Sequence, residues 1–431
     1  MIDRLARRLL MVLLFRIRVG TLEIVEDSQR WRLGHGAPVA TVEVVEPSAW
    51  RALLRGSRGM ADAYAEQRLN SPDLVTLIRL GALNASGLDR LRNVMAPVHV
   101  PLRLIGALAR RSTRRRRRRD IAAHYDIGNR LFSLMLDPTM SYSCAIFEHE
   151  RMTLEQAQLA KLEHVCAKLD LRPGQHVLEI GTGWGGFAVH AAATRGCHVT
   201  TTTISREQYD YATALIRRAR LEHLVTVVME DYRDLEGRYD RLVSIEMIEA
   251  VGWRHFGTFL EKCSSLLTES GMMLLQAITI DDRAYEAEKA SRSFMNTRIF
   301  PGGALPSLAV IVRALARRTD MQAVDLEDLT AHYVQTLRCW RTRFEAAHEQ
   351  LDEQGYDQQF RRLWRLYLAY CEAGFAERRI CDVQLLLAKP CARPAPLKRT
   401  ALSQPGPAPR RSMTTTAHAQ RGSRERVRAD G

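Results

Sequence analysis

The sequence predicts an α/β fold in which helices cover both faces of a parallel sheet. Between residues 176 and 280, apolar segments typical of strands alternate with segments of helical period, which is the pattern of a parallel sheet. Within this region the stretch 177–186, VLEIGTGWGG, places an apolar strand directly before a glycine-rich turn, and a helical stretch follows. A strand, a glycine-rich turn and a helix in this order form a nucleotide-binding unit.

The glycine-rich turn is suited to close contact with a ligand, because glycine has no Cβ and lets the backbone turn sharply. Glu179 at the strand end and Gly183 in the turn are candidates to hold the amino-acid part of a ligand. The spacing E-x-G-x-G-x-G-G, with Trp184 inside the turn, differs from the G-x-G-x-x-G of dinucleotide sites. It resembles motif I of S-adenosylmethionine (SAM) methyltransferases. A glycine-rich turn that binds no ligand is the alternative.

Ligands of such sheets bind at the carboxyl ends of the strands. This rule places four segments around one crevice: residues 181–186, 203–208, 231–232 and 246–249. Beyond the sheet region, the proline- and glycine-rich segment RIFPGGALPS within 281–320 predicts a loop or lid. Residues 333–376 predict aromatic-rich helices, and residues 383–388 predict a last strand of the sheet.

The cysteine pattern argues against a zinc site and against a disulfide framework. The eight cysteines are scattered and none forms a C-x-x-C pair, so we expect a reducing, cytoplasmic setting. The N-terminal apolar stretch 9–15 is short, is followed by Arg16 and Arg18, and has no small-residue cleavage site after it. Export is therefore the lesser alternative, and no apolar run is long enough to span a bilayer.

The net charge of +14 is concentrated in two segments. Residues 101–119 contain nine arginines and no acid, and residues 391–431 contain nine basic and two acidic residues. Such segments attract anionic lipid or nucleic acid. Because no RNA-binding aromatic motif or helix-turn-helix accompanies them, we expect an anionic membrane partner for the arginine run 114–119 and no nucleic acid. For the tail, a solvated and disordered segment is an equal alternative.

Many motifs, in order, resemble the cyclopropane-fatty-acyl-phospholipid synthase family. They are AAHYDIGNRLFSLMLDPTMSYSCAIF, VLEIGTGWGGFA, TTISREQ, EDYRDL, EMIEAVG, RIFPGGALPS, HYVQTLRCW and YCEAGF. The resemblance implies a Rossmann-like class I SAM-dependent methyltransferase fold with helical insertions, over residues 120–390. It also implies a small N-terminal α+β lipid-docking domain over residues 1–95. A basic linker (96–119) and a disordered basic tail (391–431) complete the expected organisation.

The resemblance implies that SAM is the cofactor and indicates which residues bind it. Tyr142 and Ser143 should contact SAM, and the glycine-rich turn should hold its methionine part. The second strand ends in threonines rather than in the acid that binds the ribose in many methyltransferases, so Gln208 is a candidate for that role. The expected SAM-binding residues are Tyr142, Ser143, Glu179, Gly181, Gly183, Trp184, Gly185, Thr203, Ile204, Ser205, Gln208, Asp231 and Tyr232.

The implied reaction is methyl transfer to a carbon–carbon double bond, which needs no base to activate it. The double bond must be held dry and in line with the sulfonium methyl. Transfer leaves a carbocation on the chain, which aromatic faces stabilise by about 1–2 kcal/mol each when desolvated. The carboxylate of Glu249 is the candidate for further stabilisation, with capping of the following helix as the structural alternative. A base must then remove a proton so that the ring closes.

In the resembled family that base is a bound bicarbonate ion, and Cys144, Glu249 and Tyr333 match the positions that hold it. Two positions differ from the family pattern. Where the family pattern has histidines, this chain has Ala250 and Gln276. Glutamine donates a hydrogen bond to an anion but does not titrate near neutral pH. The pattern EMIEAVG with LLQ resembles a sub-branch that includes plant-type cyclopropane synthases and bacterial enzymes that methylate fatty acids without closing a ring.

One further cysteine belongs to the expected catalytic set. Cys371 lies in the YCEAGF motif and matches a cysteine proposed as catalytic in the family. A cysteine among aromatic residues is more often part of the core, and the same core alternative applies to Tyr333.

The function expected from the resemblance is transfer of a methylene or methyl group to the cis double bond of unsaturated phospholipid acyl chains, with cyclopropane fatty acids as products. A methyl- or methylene-branched acyl chain without ring closure is the alternative product. Two other hypotheses are a lipid- or nucleic-acid-binding protein without activity and a small-molecule methyltransferase. The expected location is cytoplasmic and peripheral to the inner membrane face, and a homodimer is a further expectation.

Overall fold

The computed structural model describes residues 2–85, 128–289 and 291–394. The expected basic linker (96–119) lies outside the described residues, as does the tail beyond residue 394. The described residues form one compact unit that contains a small four-stranded sheet and a large seven-stranded sheet.

The N-terminal part is an α+β unit, in agreement with the sequence. Its strands pair in the order β2-β1-β3-β4, with β1 antiparallel to β2 and parallel to β3. The buried Trp50 donates its indole N–H to Glu26 at 3.0 Å, and Arg7 pairs with the same carboxylate at 2.9 Å. This shared carboxylate attaches the first two helices to the sheet. The elements are α1 (Ile2–Leu14), β1 (Gly20–Glu26), β2 (Gln29–His35), β3 (Val39–Val44), α2 (Ser48–Leu53), α3 (Ser57–Ala65), β4 (Leu69–Asn70) and α4 (74–85).

The large sheet contains the parallel α/β core that the sequence predicts. The first half of this α/β region contains, in chain order, α5 (Asn129–Met135), α6 (Leu154–Lys168), β5 (His176–Ile180), α7 (Gly186–Arg195), β6 (His198–Thr202), α8 (Arg206–Arg218) and β7 (Val225–Val228). Its second half begins with β8 (Tyr239–Ile245), α9 (Phe256–Leu266) and β9 (Leu267–Ile280). Strands β5 to β9 pair in parallel. Parallel strands need a crossover connection, which a helix supplies after β5, β6 and β8 and the irregular segment 229–238 supplies after β7. Thr153 and Gln156 form a capping box at the start of α6.

The C-terminal part adds helices and two antiparallel strands, so the sheet is mixed. The order is β10-β11-β9-β8-β5-β6-β7, and β11 is antiparallel to both of its neighbours. The sequence analysis did not predict strand β10. The predicted loop RIFPGGALPS has no regular secondary structure over residues 300–307, and two helices flank it within 281–320. These elements are α10 (Asp282–Glu288), α11 (Leu308–Arg318), β10 (Gln322–Asp328), α12 (Thr330–Ala346), α13 (His348–Glu353), α14 (Gln358–Ala376) and β11 (Ile380–Ala388).

The aromatic-rich helices α12 and α14 form a layer between the two sheets. They pack on each other and on strand β11, and α14 also packs on α3. Arg362 of α14 donates to the backbone oxygen of Tyr64 at 2.7 Å, and Arg79 pairs with Glu377 at 2.6 Å. Buried rings from this layer therefore lie next to the carboxyl ends of the large sheet, where the sequence places the crevice.

Candidate active site

A cleft lies at the carboxyl ends of β5, β6, β7 and β8, at the position expected for a ligand of a parallel sheet. Most of the predicted SAM-binding residues line it, namely Tyr142, Ser143, Glu179, Gly181, Gly183, Trp184, Thr203, Ile204, Gln208, Asp231 and Tyr232. Two predicted residues have other positions. Gly185 caps α7 in a left-handed conformation, and Ser205 caps α8, its side chain accepting from the backbone N–H of Gln208.

The glycine-rich turn leaves room for a ligand against the backbone. Gly181 and Gly183 have φ values of +105° and +52°, which side-chain-bearing residues rarely adopt. A Cβ added at Gly183 would meet no protein atom within 4 Å, so its backbone faces open space in the cleft. Both observations fit a turn that holds a small molecule.

Glu179 presents a buried carboxyl group to the cleft at the end of β5. Thr201 on the neighbouring strand donates to its Oε2 at 2.6 Å. Burial raises the pKa of Glu179 to about 8, against the opposing effects of the Thr201 hydrogen bond and of Lys161. A buried carboxylate is stabilised by a cationic partner, which the ammonium group of an amino-acid ligand supplies.

The opposite wall of the cleft comes from the ends of β6 and β7. Thr203 donates to Oε1 of Gln208 at 2.8 Å, which orients the amide at the position expected for ribose binding. Asp231 forms a two-point ion pair with Arg233, in which the Nε–Oδ1 distance is 2.7 Å. The ring of Tyr232 packs edge-on against Phe259, with ring centroids 5.2 Å apart.

Sequence reasoning missed Lys161, which is buried in the wall of the cleft. Its Nζ donates to Oγ of Ser143 at 3.1 Å, and burial lowers its pKa. The signal was present in the sequence: on α6, Lys161 falls on the same face as the buried Ala157, Leu162 and Val165. A lysine on an apolar helix face is rarely buried without a partner.

The predicted catalytic residues converge on Glu246, to which the sequence analysis assigned no role. Oε1 of Glu246 accepts from the backbone N–H of Cys144 at 2.8 Å and from Nε2 of Gln276 at 2.9 Å. Oε2 accepts from the hydroxyl of Tyr333 at 2.5 Å. Glu246 also lines the cleft. Cys144 and Tyr333, two of the three residues expected to hold a bicarbonate ion, therefore donate to a carboxylate of the chain itself, together with Gln276.

Strand β11 supplies the rest of this hydrogen-bond network. Nε2 of Gln276 also donates to Oδ2 of Asp382 at 3.1 Å, and Oε1 of Gln276 accepts from Gln384 at 3.0 Å. The three side chains are fully buried. Burial, together with the neighbouring Glu246 and Glu249, raises the pKa of Asp382 well above its ordinary value.

Glu249 lies beside this network in the turn after β8. Its Oε1 accepts from the backbone N–H of Ile278 at 2.6 Å, while the buried Oε2 has no hydrogen-bond partner among the residues that the structure describes. Burial and the nearby Glu246 raise the pKa of Glu249 to about 8. Helix α9 starts after His255 without a side-chain cap, so Glu249 is not its cap.

The two predicted cysteines are present as thiols. Cys144 is fully buried, and burial raises its pKa well above the ordinary value; its contribution to the site is a backbone N–H. Burial raises the pKa of Cys371 to about 12, which is unlike the lowered pKa of nucleophilic cysteines. A direct catalytic role for Cys371 therefore stays a prediction without support from its environment.

Aromatic rings surround the network on the side of α12 and α14. Tyr333 stacks on Phe375 with ring centroids 4.3 Å apart. The hydroxyls of Tyr142 and Tyr367 lie 2.6 Å apart, and Tyr142 also packs on Trp340. The rings and the carboxyl groups thus form a largely buried cluster at the edge of the cleft. We call it the aromatic–carboxylate cluster, and its members are Tyr142, Tyr333, Trp340, Tyr367, Phe375, Glu246 and Glu249.

The comparisons with known proteins agree with this geometry. Residues 112–385 match the family model described as mycolic acid cyclopropane synthetase. The chain is also 35% identical over 358 residues to the cyclopropane-fatty-acyl-phospholipid synthase of Escherichia coli K12, which covers 81% of this chain and 87% of that protein. The chain belongs to the cyclopropane synthase family.

Two further relatives bear on fold and chemistry. The chain is 41% identical over 265 residues to tuberculostearic acid methyltransferase UfaA1 of Mycobacterium tuberculosis, covering 60% of this chain and spanning 62% of that protein's length. The structure matches the crystal structure of mycolic acid cyclopropane synthase CmaA1 complexed with SAH and CTAB. That match has a TM-score of 0.59 and 29% identity, and covers 63% of this chain and 98% of that one.

Family membership confirms three expectations from the sequence. The fold is that of a class I SAM-dependent methyltransferase, the protein is an enzyme of that class, and SAM is its cofactor. The cleft fits SAM on its own features: the open backbone at Gly183 and the buried carboxyl of Glu179 suit an amino-acid group. When bound, SAM supplies an electrophilic methyl carbon.

Proposed function

We propose that the protein transfers the methyl carbon of SAM to a cis double bond of an unsaturated phospholipid acyl chain and closes a cyclopropane ring. The observation that carries this proposal is the direct contact between the SAM cleft and the aromatic–carboxylate cluster. Tyr142 and Glu246 belong to both. A double bond placed between them is held away from water and close to the methyl carbon.

The chain's own residues then stabilise the charge that forms on the acyl chain. The faces of the clustered rings attract a carbocation, by about 1–2 kcal/mol each in a dry site. Glu249, whose pKa burial and Glu246 raise to about 8, stabilises the cation in its ionised form, and its Oε2 has no hydrogen-bond partner among the described residues. Such preorganised charges stabilise a transition state without reorganising during the reaction.

A branched product is the second candidate, and the 41% identity to a tuberculostearic acid methyltransferase favours it. In that case a hydride shifts from the methylated carbon to the neighbouring cationic carbon before the proton is lost, and the transferred carbon becomes an exocyclic methylene group. The two products share the methyl transfer and the loss of a proton from the transferred carbon, and they differ in this hydride shift.

The direct test uses purified protein, SAM with a ¹³C-labelled methyl group, and phospholipid vesicles. We expect label in the acyl chains of unsaturated phospholipids and none in saturated phospholipids of the same head group. Label in a soluble molecule added in place of vesicles would favour a small-molecule methyltransferase. Absence of label from every unsaturated lipid would contradict the proposed function.

We further propose that the N-terminal unit docks the enzyme on the inner, anionic face of the cytoplasmic membrane. None of the helices in residues 2–85, 128–289 and 291–394 is long and apolar enough to cross a bilayer. Helix α1 has an exposed apolar stripe, in which Leu5 is 60%, Leu9 51% and Val12 60% exposed. The exposed Arg4 and Arg8 lie beside it. An apolar stripe next to arginines is typical of helices that lie in the interface of an anionic bilayer.

Replacing Leu5, Leu9 and Val12 together by Gln is expected to weaken binding to anionic vesicles about 10-fold or more, because each apolar side chain loses its burial in the bilayer interface. Sedimentation with vesicles measures the change. The matched control replaces Val312, Val324 and Leu326, which are also exposed, and should bind like the unmodified protein. Equal binding of both triple variants would contradict docking through α1.

A further inference from the structure

The donors that surround Glu246 have no hydrogen left for a second anion. The backbone N–H of Cys144 and the hydroxyl of Tyr333 have one hydrogen each, and both donate to Glu246. The two hydrogens of the Gln276 amide go to Glu246 and Asp382. A bicarbonate ion is held by the same kind of donors. Cys144 and Tyr333, two of the three residues expected to hold bicarbonate, therefore have no donor free for it while Glu246 is in place, and neither does Gln276.

The backbone of Glu246 indicates that this side chain is held at a cost. Glu246 has φ +49°, a left-handed conformation that favours glycine and costs a residue with a Cβ. Its own N–H still pairs with the backbone oxygen of Gln276 at 2.9 Å, so the strand end is well defined. The strained conformation directs the carboxylate into the cleft, where Glu246 is part of the lining.

From this arrangement we propose that Glu246 is the catalytic base of the enzyme and acts in place of a bound bicarbonate ion. The proposal rests on the proposed function and adds the residue that completes the reaction. Glu246 qualifies by position, because it belongs to the cleft and to the aromatic–carboxylate cluster at once. Gln276 stands where a histidine was expected. It positions the base by donating from its Nε2 to Oε1 of Glu246, and it has no titrating group of its own.

The step balances without a further reactant. The π electron pair of the acyl double bond forms the new bond to the methyl carbon, and the bond between that carbon and sulfur breaks with its electron pair on sulfur. A lipid carbocation remains. Glu246 takes a proton from the transferred carbon, and the released C–H electron pair closes the three-membered ring. For the branched product, a hydride first shifts along the chain and the released pair forms the exocyclic double bond.

The charges around Glu246 suit a group that must accept a proton. Burial raises its pKa, while the hydrogen bonds from Cys144, Tyr333 and Gln276 counteract this effect. The neighbouring Asp382 has its pKa raised well above the ordinary value by burial and by Glu246. The buried Lys161 favours the charged form of Glu246. Both oxygens of Glu246 accept hydrogen bonds, from three donors in all, whereas Oδ1 of Asp382 has no partner among the described residues, so we assign the charge to Glu246 and the proton to Asp382.

The test compares Glu246→Gly with Glu246→Gln in buffers with and without bicarbonate. Glycine suits the left-handed backbone and leaves a space lined by the three donors, whereas glutamine fills that space with a group that does not take a proton. We expect the unmodified enzyme to transfer label at the same rate in both buffers. Both variants should lose at least about 100-fold in rate, and bicarbonate should restore part of the activity of Glu246→Gly alone.

Binding of ¹³C-bicarbonate, followed by NMR, gives a readout that does not depend on turnover. We expect bicarbonate to bind Glu246→Gly and not the unmodified protein, with SAM affinity and melting temperature showing that each variant is folded. Label transfer by the unmodified enzyme that falls when bicarbonate is removed, bicarbonate bound to it, or full activity of Glu246→Gly would each overturn the proposal. Absence of label transfer by the unmodified enzyme in either buffer would instead contradict the proposed function.

Discussion

Replacing Glu179 by Gln is expected to weaken SAM binding by about 10- to 150-fold. The carboxylate is the buried partner that we assign to the ammonium group of SAM, and a hydrogen bond to a charged group contributes about 1.5–3 kcal/mol. Glutamine keeps the size of the side chain and can still accept from Thr201, so the fold should be unchanged. Isothermal titration calorimetry with SAM measures the loss directly.

Glu179→Gln should also remove a pH dependence of the affinity for SAM. The pKa of Glu179 is raised to about 8 by burial, so the ligand-free protein carries this group protonated at pH 7. SAM binding favours the carboxylate and expels that proton, and affinity should therefore rise as the pH increases towards 8. Above this range the amino group of SAM itself loses its proton, and the rise should end.

The control for Glu179 is Glu222→Gln, which removes an exposed acid outside the cleft. This variant should bind SAM as the unmodified protein does and keep the same pH dependence. Equal affinity of Glu179→Gln and the unmodified protein, with the same pH profile, would show that Glu179 does not receive the ammonium group.

Replacing Glu249 by Gln is expected to lower kcat by about 100-fold or more while leaving SAM affinity within a few-fold. The carboxylate is placed to stabilise a positive charge that exists only during the reaction, and loss of one preorganised group of this kind costs about 10²–10³ in rate. The glutamine oxygen can still accept from the N–H of Ile278. Single-turnover transfer of labelled methyl groups to unsaturated vesicles measures the effect on the chemical step.

The control for Glu249 is Glu261→Gln on α9, an exposed acid paired with Arg318 at 3.5 Å, which should leave the rate unchanged. If Glu249 were only structural, its variant would lower the melting temperature and would alter SAM binding and rate together. A normal kcat for a folded Glu249→Gln would contradict the assigned role.

The strands of the parallel core and the cleft were predictable because their signals are local. A strand buried on both faces is a continuous apolar run; 272–275 is of this kind, and 177–180 departs from it only at Glu179. The glycine-rich turn is also local, since its backbone needs are met by glycines adjacent in sequence. By contrast, β10 is mostly exposed. Its apolar residues Val324 and Leu326 alternate with acids over only four residues and are themselves exposed, so this short pattern did not distinguish a strand from a loop.

The network around Glu246 was not predictable to the same degree, because it depends on pairing between distant segments. Gln276 meets Gln384 only through the antiparallel register of β9 and β11, which no spacing in the sequence reveals. The sequence analysis placed 246–249 at the crevice but could not distinguish the two glutamates. Their difference lies in geometry: Glu246 faces three donors in the cleft, whereas Glu249 accepts from a backbone N–H behind it.

In the proposed reaction, the enzyme adds one carbon to an acyl-chain double bond. Mass spectrometry and proton NMR of lipids from cells that express the protein, in a host without this activity, test it most directly. We expect a gain of one CH₂ unit in unsaturated acyl chains together with the high-field proton signals of a cyclopropane ring. The same gain with vinylidene protons would move the product to the branched candidate. Unchanged acyl chains, in cells that contain the folded protein and SAM, would contradict the addition of a carbon to acyl-chain double bonds.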